Sequence, residues 1–121
     1  MTTILIVDDD YMSRELLQAH MENAGYQVLL ANGGNKALAI AASEHPDVIL
    51  MDVRMPDLTG YEVCAILKGK DNTRTIPVLL MTALDTPQTI AAGTEAGADG
   101  FVSKPFDVSN LFSQISRVVQ T

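Results

Sequence analysis

The chain has 121 residues, 47% of them hydrophobic and 19% charged, which is the balance of a folded globular domain and not of a disordered segment. Fifteen acidic against eight basic residues leave a formal net charge of -7, which disfavours direct binding to nucleic acid or to an anionic membrane surface. A single cysteine excludes an internal disulfide, and no apolar run approaches the roughly 20 residues of a membrane span.

Strand-like and helix-like stretches alternate along the chain. ILIV at 4–7 reads as a first strand, and the acidic turn behind it, with no basic stretch ahead, is unlike a signal peptide. Residues 12–24 space Met12, Leu16, Leu17, Met21 and Ala24 as a helix, with Gly25 placed to end it. YQVLLA at 26–31 gives a second strand, and the alanine-rich stretch 35–44, stopped by Pro46, a second helix. DVILM at 47–51 is a third strand, nearly continuous in apolar residues, as strands buried on both faces are. Thr59-Gly60-Tyr61-Glu62 reads as a capping box for a helix carrying Val63, Ile66 and Leu67. IPVLLM at 76–81 is the fourth strand, and Thr86-Pro87, an N-cap followed by proline at the first helical position, opens the fourth helix. GFVS at 100–103 is the fifth strand. Asp107 then caps a last helix with Val108, Leu111, Phe112, Ile115, Val118 and Val119 on one stripe.

Five such βα units, taken as one domain over residues 1–121, predict an α/β doubly wound (βα)5 fold. Its five-stranded parallel sheet is expected in the flavodoxin-like order 2-1-3-4-5, with the binding crevice at the carboxyl ends of strands 1 and 3. Asp8-Asp9-Asp10 and Asp52 fall there, while strand 4 ends at Thr82 and strand 5 at Ser103-Lys104-Pro105. Helix capping accounts for Asp10, but one helix start needs one cap, so Asp8 and Asp9 call for another reason. Carboxylates crowded at one rim cannot all ionise without cost unless a cation is present, and a hard divalent ion such as Mg2+ suits oxygen donors. A cation, a lysine and a hydroxyl around a carboxylate fit phosphoryl chemistry, with the carboxylate able to act as nucleophile. His20 and His45 lie off this rim without metal-ligand spacing, and Cys64 reads as a packing residue.

Four stretches, ILIVDDD, VILMDVRMPDLTG, VLLMTAL and GFVSKPF, resemble in order and separation the receiver domain of two-component response regulators, of the chemotaxis-regulator type. The resemblance implies a regulatory domain that accepts a phosphoryl group from a histidine kinase or a histidine phosphotransfer protein. The reaction would depend on Mg2+ or Mn2+, and the domain would promote only its own phosphorylation and dephosphorylation. It implies that Asp52 is the phosphoacceptor and that Asp8, Asp9 and Asp52, with the backbone carbonyl of Arg54, hold the metal. Thr82 would be the switch hydroxyl, and Lys104 would pair with the phosphoryl group ahead of a cis bond to Pro105. Phe101 takes the place of an aromatic switch residue that turns inward as Thr82 moves. Arg54 and Leu84 occupy positions that tune hydrolysis of the phosphoryl group.

Two departures stand out: Phe101 lacks the hydroxyl of the commoner tyrosine, and Leu84 cannot orient a water. A long-lived phosphorylated state is therefore expected. The resemblance also implies that the surface of helix 4, strand 5 and helix 5 acts on a downstream protein or output domain. The protein would work in the cytoplasm, as a monomer or a phosphorylation-dependent homodimer. Helix 4, with Ile90 as its large apolar residue and Gly93 in its interior, is the element expected to move.

Other readings of the same residues stay open. A receiver-shaped interaction module that is never phosphorylated is one. A haloacid-dehalogenase-type phosphatase is another: Asp8-x-Asp10 fits its nucleophile pattern, although Asp52 would then have no role. A flavodoxin-like FMN site is disfavoured by three acids where a phosphate would bind.

Overall fold

Val48 to Met51 are apolar at every position, and the strand they build, β3 (Val48–Asp52), is buried throughout. It lies at the centre of the sheet. In the computed structural model, which describes residues 1–82, 86–104 and 107–119, the strands run parallel in the order β2-β1-β3-β4-β5. The others are β1 (Thr3–Val7), β2 (Gln27–Ala31), β4 (Val78–Thr82) and β5 (Gly100–Ser103). The helices are α1 (Tyr11–Asn23), α2 (Gly34–Glu44), α3 (Gly60–Lys68), α4 (Pro87–Ala96) and α5 (Val108–Val118). The doubly wound α/β fold expected from the sequence is the one found.

Alternate residues of each strand feed two cores, as a pleat requires. On one face Leu5, Val7, Ile49, Met51, Val78 and Leu80 pack under α2, α3 and α4. On the other Ile4, Ile6, Leu50, Leu79, Met81 and Val102 pack under α1 and α5. Cys64 is buried in the first core, where burial pushes its thiol up to about 11 and favours the neutral form of a packing residue. Among the described residues, no helix is long and apolar enough to cross a membrane.

The helix starts follow the capping pattern. Asp10 accepts from the Ser13 N–H, Thr59 and Glu62 close a reciprocal box, and Thr86 caps α4 with Pro87 behind it. Asp107 accepts from Ser109 N–H at the start of α5. His45 ends α2 in the left-handed conformation (φ 47°), a capping role.

Some strand starts moved: Tyr26 precedes β2, and Ile76 and Pro77 precede β4, while Asp52 and Thr82 end their strands as expected. The larger difference is in α1, where Met12 and Leu16 are exposed and Leu17 and Met21 carry the burial. Leu16 instead lines a cleft of about 320 Å³ between α1 and α5, with Leu17 and His20 on its side, Val108 and Leu111 opposite, and Lys104 also at its wall.

At the amino ends of β4 and β5 a polar clasp ties the molecule together. Lys68 Nζ donates to Ile76 O (2.8 Å), Arg74 O (3.3 Å) and Asp99 Oδ2 (2.9 Å). Asp99 Oδ2 also accepts from Val78 N (2.8 Å), and Arg117 Nη2 donates to Asp99 O (2.7 Å).

Candidate functional site

Parallel register brings the acids together. Val7 is level with Met51 across β1 and β3, so Asp8 emerges beside Asp52. Each strand also stays paired past its end with its other neighbour, Asp8 N donating to Ala31 O of β2 (3.1 Å) and Val53 N to Met81 O of β4 (3.1 Å). The result is that carboxylate oxygens of Asp8, Asp9 and Asp52 lie within 4.8 Å of one another. Asp8 is fully buried and Asp52 is 9% exposed, whereas Asp9 faces solvent.

Lys104 arrives from the end of β5, its backbone N donating to Thr82 O (2.9 Å). Its Nζ donates to Asp52 Oδ2 at 2.9 Å and lies 3.5 Å from Asp8 Oδ2. The other Asp52 oxygen accepts from Arg54 N (3.2 Å), so both of its oxygens are oriented. Asp8 Oδ1 accepts from Asp10 N (2.9 Å), and Arg14 Nη1 donates to the Asp8 carbonyl (2.8 Å).

Burial raises Asp8 above the usual carboxylate range, and the nearby Asp52 charge adds to this; the Asp10 N–H and the Lys104 charge oppose it. Burial pulls Lys104 down, but hydrogen bonding and attraction to Asp52 and Asp8 outweigh it, and the net shift is upward.

A divalent ion fits these donors. All are hard carboxylate oxygens on the ends of two adjacent strands, as a cation that holds several waters beside one or two carboxylates requires. The Arg54 backbone borders the same carboxylate, while its side chain is exposed.

Thr82 ends β4 one position beyond Met81, the partner of Asp52, and is level with Ser103. Phe101 is not at the rim. It is level with Leu80, and its ring lies under α4 against Gly93, where an added Cβ would come within 2.4 Å of the ring. Phe101 is thus already half-buried on the face of the sheet covered by α2, α3 and α4. Leu84 and Pro105 lie outside the described residues. Asp10, the second acid of the D-x-D pattern, is engaged as the cap of α1.

Sequence reasoning passed over two residues that touch this site, Arg14 and Gly60, and a third on the loop that follows Asp52, Asp57. Gly60 starts α3 so close to β3 that a Cβ would sit 2.5 Å from Asp52 O. The Thr-Gly pair at the helix start carried that signal. Asp57 accepts from the backbone N–H of Gly34, Asn35 and Leu58, each at 2.9 Å.

A parallel sheet with an acid cluster and a lysine at its carboxyl rim defines a class, and comparison with known proteins narrows it. The family model of the response regulator receiver domain matches residues 4–116, and the chain belongs to that family. The DNA-binding dual master transcriptional regulator RpaA of Synechocystis is 38% identical over 120 residues, covering 99% of this chain and 50% of that protein. The chain therefore spans about half the length of that relative.

Among solved structures, the Vibrio cholerae chemotaxis protein CheY4 superposes with a TM-score of 0.93 at 34% identity, covering 98% of each chain. The receiver domain of a Pseudomonas aeruginosa sensor histidine kinase, solved with magnesium coordinated in its active-site cleft, gives 0.92 at 28% identity. It covers 99% of this chain and 98% of that one. This protein is therefore a receiver domain of the two-component response regulators, a regulatory phosphoaccepting class.

Proposed function

We propose that Asp52 accepts a phosphoryl group from a phosphohistidine of a kinase or phosphotransfer protein. An Asp52 oxygen attacks phosphorus, the P–N bond breaks, and the imidazole leaves with a proton taken from solvent. The observation that carries this reading is the meeting of Asp8, Asp9 and Asp52 within 4.8 Å, with Lys104 bonded to Asp52. Mg2+ held by Asp8, Asp9, Asp52 and the Arg54 carbonyl would neutralise charge on the transferred oxygens. Lys104 exchanges its bond to Asp52 for one to the phosphoryl group. Thr82 donates to a phosphoryl oxygen, an interaction that the unphosphorylated protein does not have and that can therefore shift a population.

The surface of α4, β5 and α5 carries the signal to a downstream protein or an attached output domain. The domain acts on its own phosphorylation and on no other substrate, and it works in the cytoplasm. The exposed Arg54 side chain, with Leu84, sets a slow rate of hydrolysis.

Incubation with acetyl phosphate and Mg2+ tests the reading. Mass spectrometry should find one added phosphoryl group, mapped to Asp52, absent in Asp52→Asn and persisting for minutes or longer after the donor is removed. Wild-type protein that takes up no phosphoryl group would return the domain to an unphosphorylated interaction module.

A further inference from the structure

Helix α2 begins at Gly33-Gly34 and has no capping side chain of its own. Its first N–H groups are satisfied from more than twenty residues away. Gly34 N donates to Asp57 Oδ1 and Asn35 N to Asp57 Oδ2, each at 2.9 Å. Asp57 Oδ1 also accepts from Leu58 N at 2.9 Å. A carboxylate at a helix start, with both oxygens engaged, is held ionised by the N–H groups and the helix dipole together.

Asp57 belongs to the loop that leaves β3 after Asp52 and enters α3 at Gly60. Arg54, Pro56 and Asp57 of that loop are exposed, while Val53, Met55 and Leu58 are partly buried against the core under α2 and α3. The loop's base is closed by Gly60 N donating to Val53 O at 2.8 Å, with Gly60 against the Asp52 carbonyl. Its outer part is closed by Asp57 on α2. Leu58 is drawn in as well, since a Cβ on Gly34 would stand 2.8 Å from the Leu58 Cβ. Arg54 lies between these two fastenings, with its N–H on Asp52 Oδ1.

We infer that Asp57 is a positioning residue of the phosphoacceptor site: by supplying the missing cap of α2, it fastens the loop whose Arg54 backbone borders Asp52 and the cation. This inference rests on the reading of Asp52 as a cation-assisted phosphoacceptor. A carboxylate that merely stabilised α2 could be replaced by any local cap. One that fixes the loop could not, because a cap on residue 33 reaches α2 and leaves the loop untied. Gly33 has extended backbone (φ -173°), which serine adopts freely, and removal of the Asp57 carboxylate opens the space beside it.

The test compares wild type, Asp57→Asn, Asp57→Ala and Asp57→Ala/Gly33→Ser. Each is titrated with Mg2+ alone by calorimetry, melted, and followed by amide exchange without metal. Asp57→Ala should melt lower, expose residues 54–58 to faster exchange and raise the Mg2+ dissociation constant about tenfold, the lower end for loss of a group that orients metal ligands. Asp57→Asn, which keeps one acceptor oxygen, should fall between. The double variant should recover the melting temperature but neither the exchange protection nor the affinity.

Unchanged Mg2+ affinity in Asp57→Ala, or its recovery along with stability in the double variant, would overturn the proposal while leaving the phosphoacceptor reading intact. Wild-type protein that takes up no Mg2+ would overturn both.

Discussion

Lys104 stands 2.9 Å from an Asp52 oxygen and 3.5 Å from an Asp8 oxygen, so in the metal-free protein one ammonium answers the carboxylates of two strands. Replacing it by methionine leaves those acids facing each other. Lys104→Met should lose about 1–3 kcal/mol in metal-free buffer, below the ~3–5 kcal/mol for breaking a fully buried pair because the lysine is 22% exposed. Mg2+ should recover most of that loss, as urea denaturation with and without the ion would show.

Asp57 makes the opposite electrostatic case, for N–H groups of Asn35 and Gly34 lower it to about 2 from 3.8. A depressed folded value means that the ionised form stabilises the fold. Its contribution is complete above pH 4 and fades as pH falls toward 2. The stability difference between wild type and Asp57→Ala should therefore be constant from pH 5 upward and narrow between pH 4 and 2. The acids of the rim were legible in the sequence because a strand end followed by carboxylates needs only topology to be interpreted. Asp57 was not, since its partners are 22 and 23 residues away and nothing in Gly33-Gly34 names the donor of the missing cap.

Helix α4 was readable as a weakly packed element, yet the reason for Gly93 was not. Its buried residues are Gly93 and Ala96, and Ile90 is 42% exposed. Glycine inside a helix costs about 1 kcal/mol against alanine, which looks like poor design until the Phe101 ring is found lying against it. Gly93→Ala gains helix propensity but forces the ring aside, and should destabilise by about 1–3 kcal/mol, the usual cost of overpacking. Adding Phe101→Leu should return part of the loss, with a favourable coupling in a double-mutant cycle measured by denaturation.

The helical spacing of α1 was misleading for the mirror-image reason. Met12 and Leu16 keep the right period, but the sheet beneath α1 reaches only the stripe of Leu17 and Met21. Periodicity tells that a helix has an apolar side; how wide that side becomes depends on what covers it.

For the whole molecule, the net charge of -7 first served only as an argument against direct binding to nucleic acid or to an anionic membrane. The fold shows where the charge matters: three of the fifteen acids meet at the carboxyl rim, and two of those are nearly or fully buried. A divalent ion there would bind the native state and hardly the unfolded chain. Mg2+ at about 100 times its dissociation constant should thus stabilise the protein by about 2.7 kcal/mol, with the effect strongly reduced in Asp8→Asn. Calorimetric melting over a series of Mg2+ concentrations checks this. The doubly wound form was legible for a physical reason, because each βα crossover has one favoured hand, whereas the strand order 2-1-3-4-5 was expected only as the common order for five such strands.

The opposite rim bears on motion. Gly97 ends α4 in the left-handed region (φ 93°) packed on the Lys68 stem, and two residues later Asp99 is held by Lys68 and Val78. At its other end α4 meets α3 through the Tyr61 hydroxyl, which donates to Thr89 O at 3.4 Å. The Gly97 end of the helix is thus fastened at the amino rim, and its first turn lies toward the rim where Thr82 ends β4. Ten residues of helix make an arm of about 15 Å, so a tilt of about 5° at the fastened end carries the other end about 1 Å. A fulcrum at the Gly97 end would turn a small displacement near Thr82 into leverage across the outer face of α4.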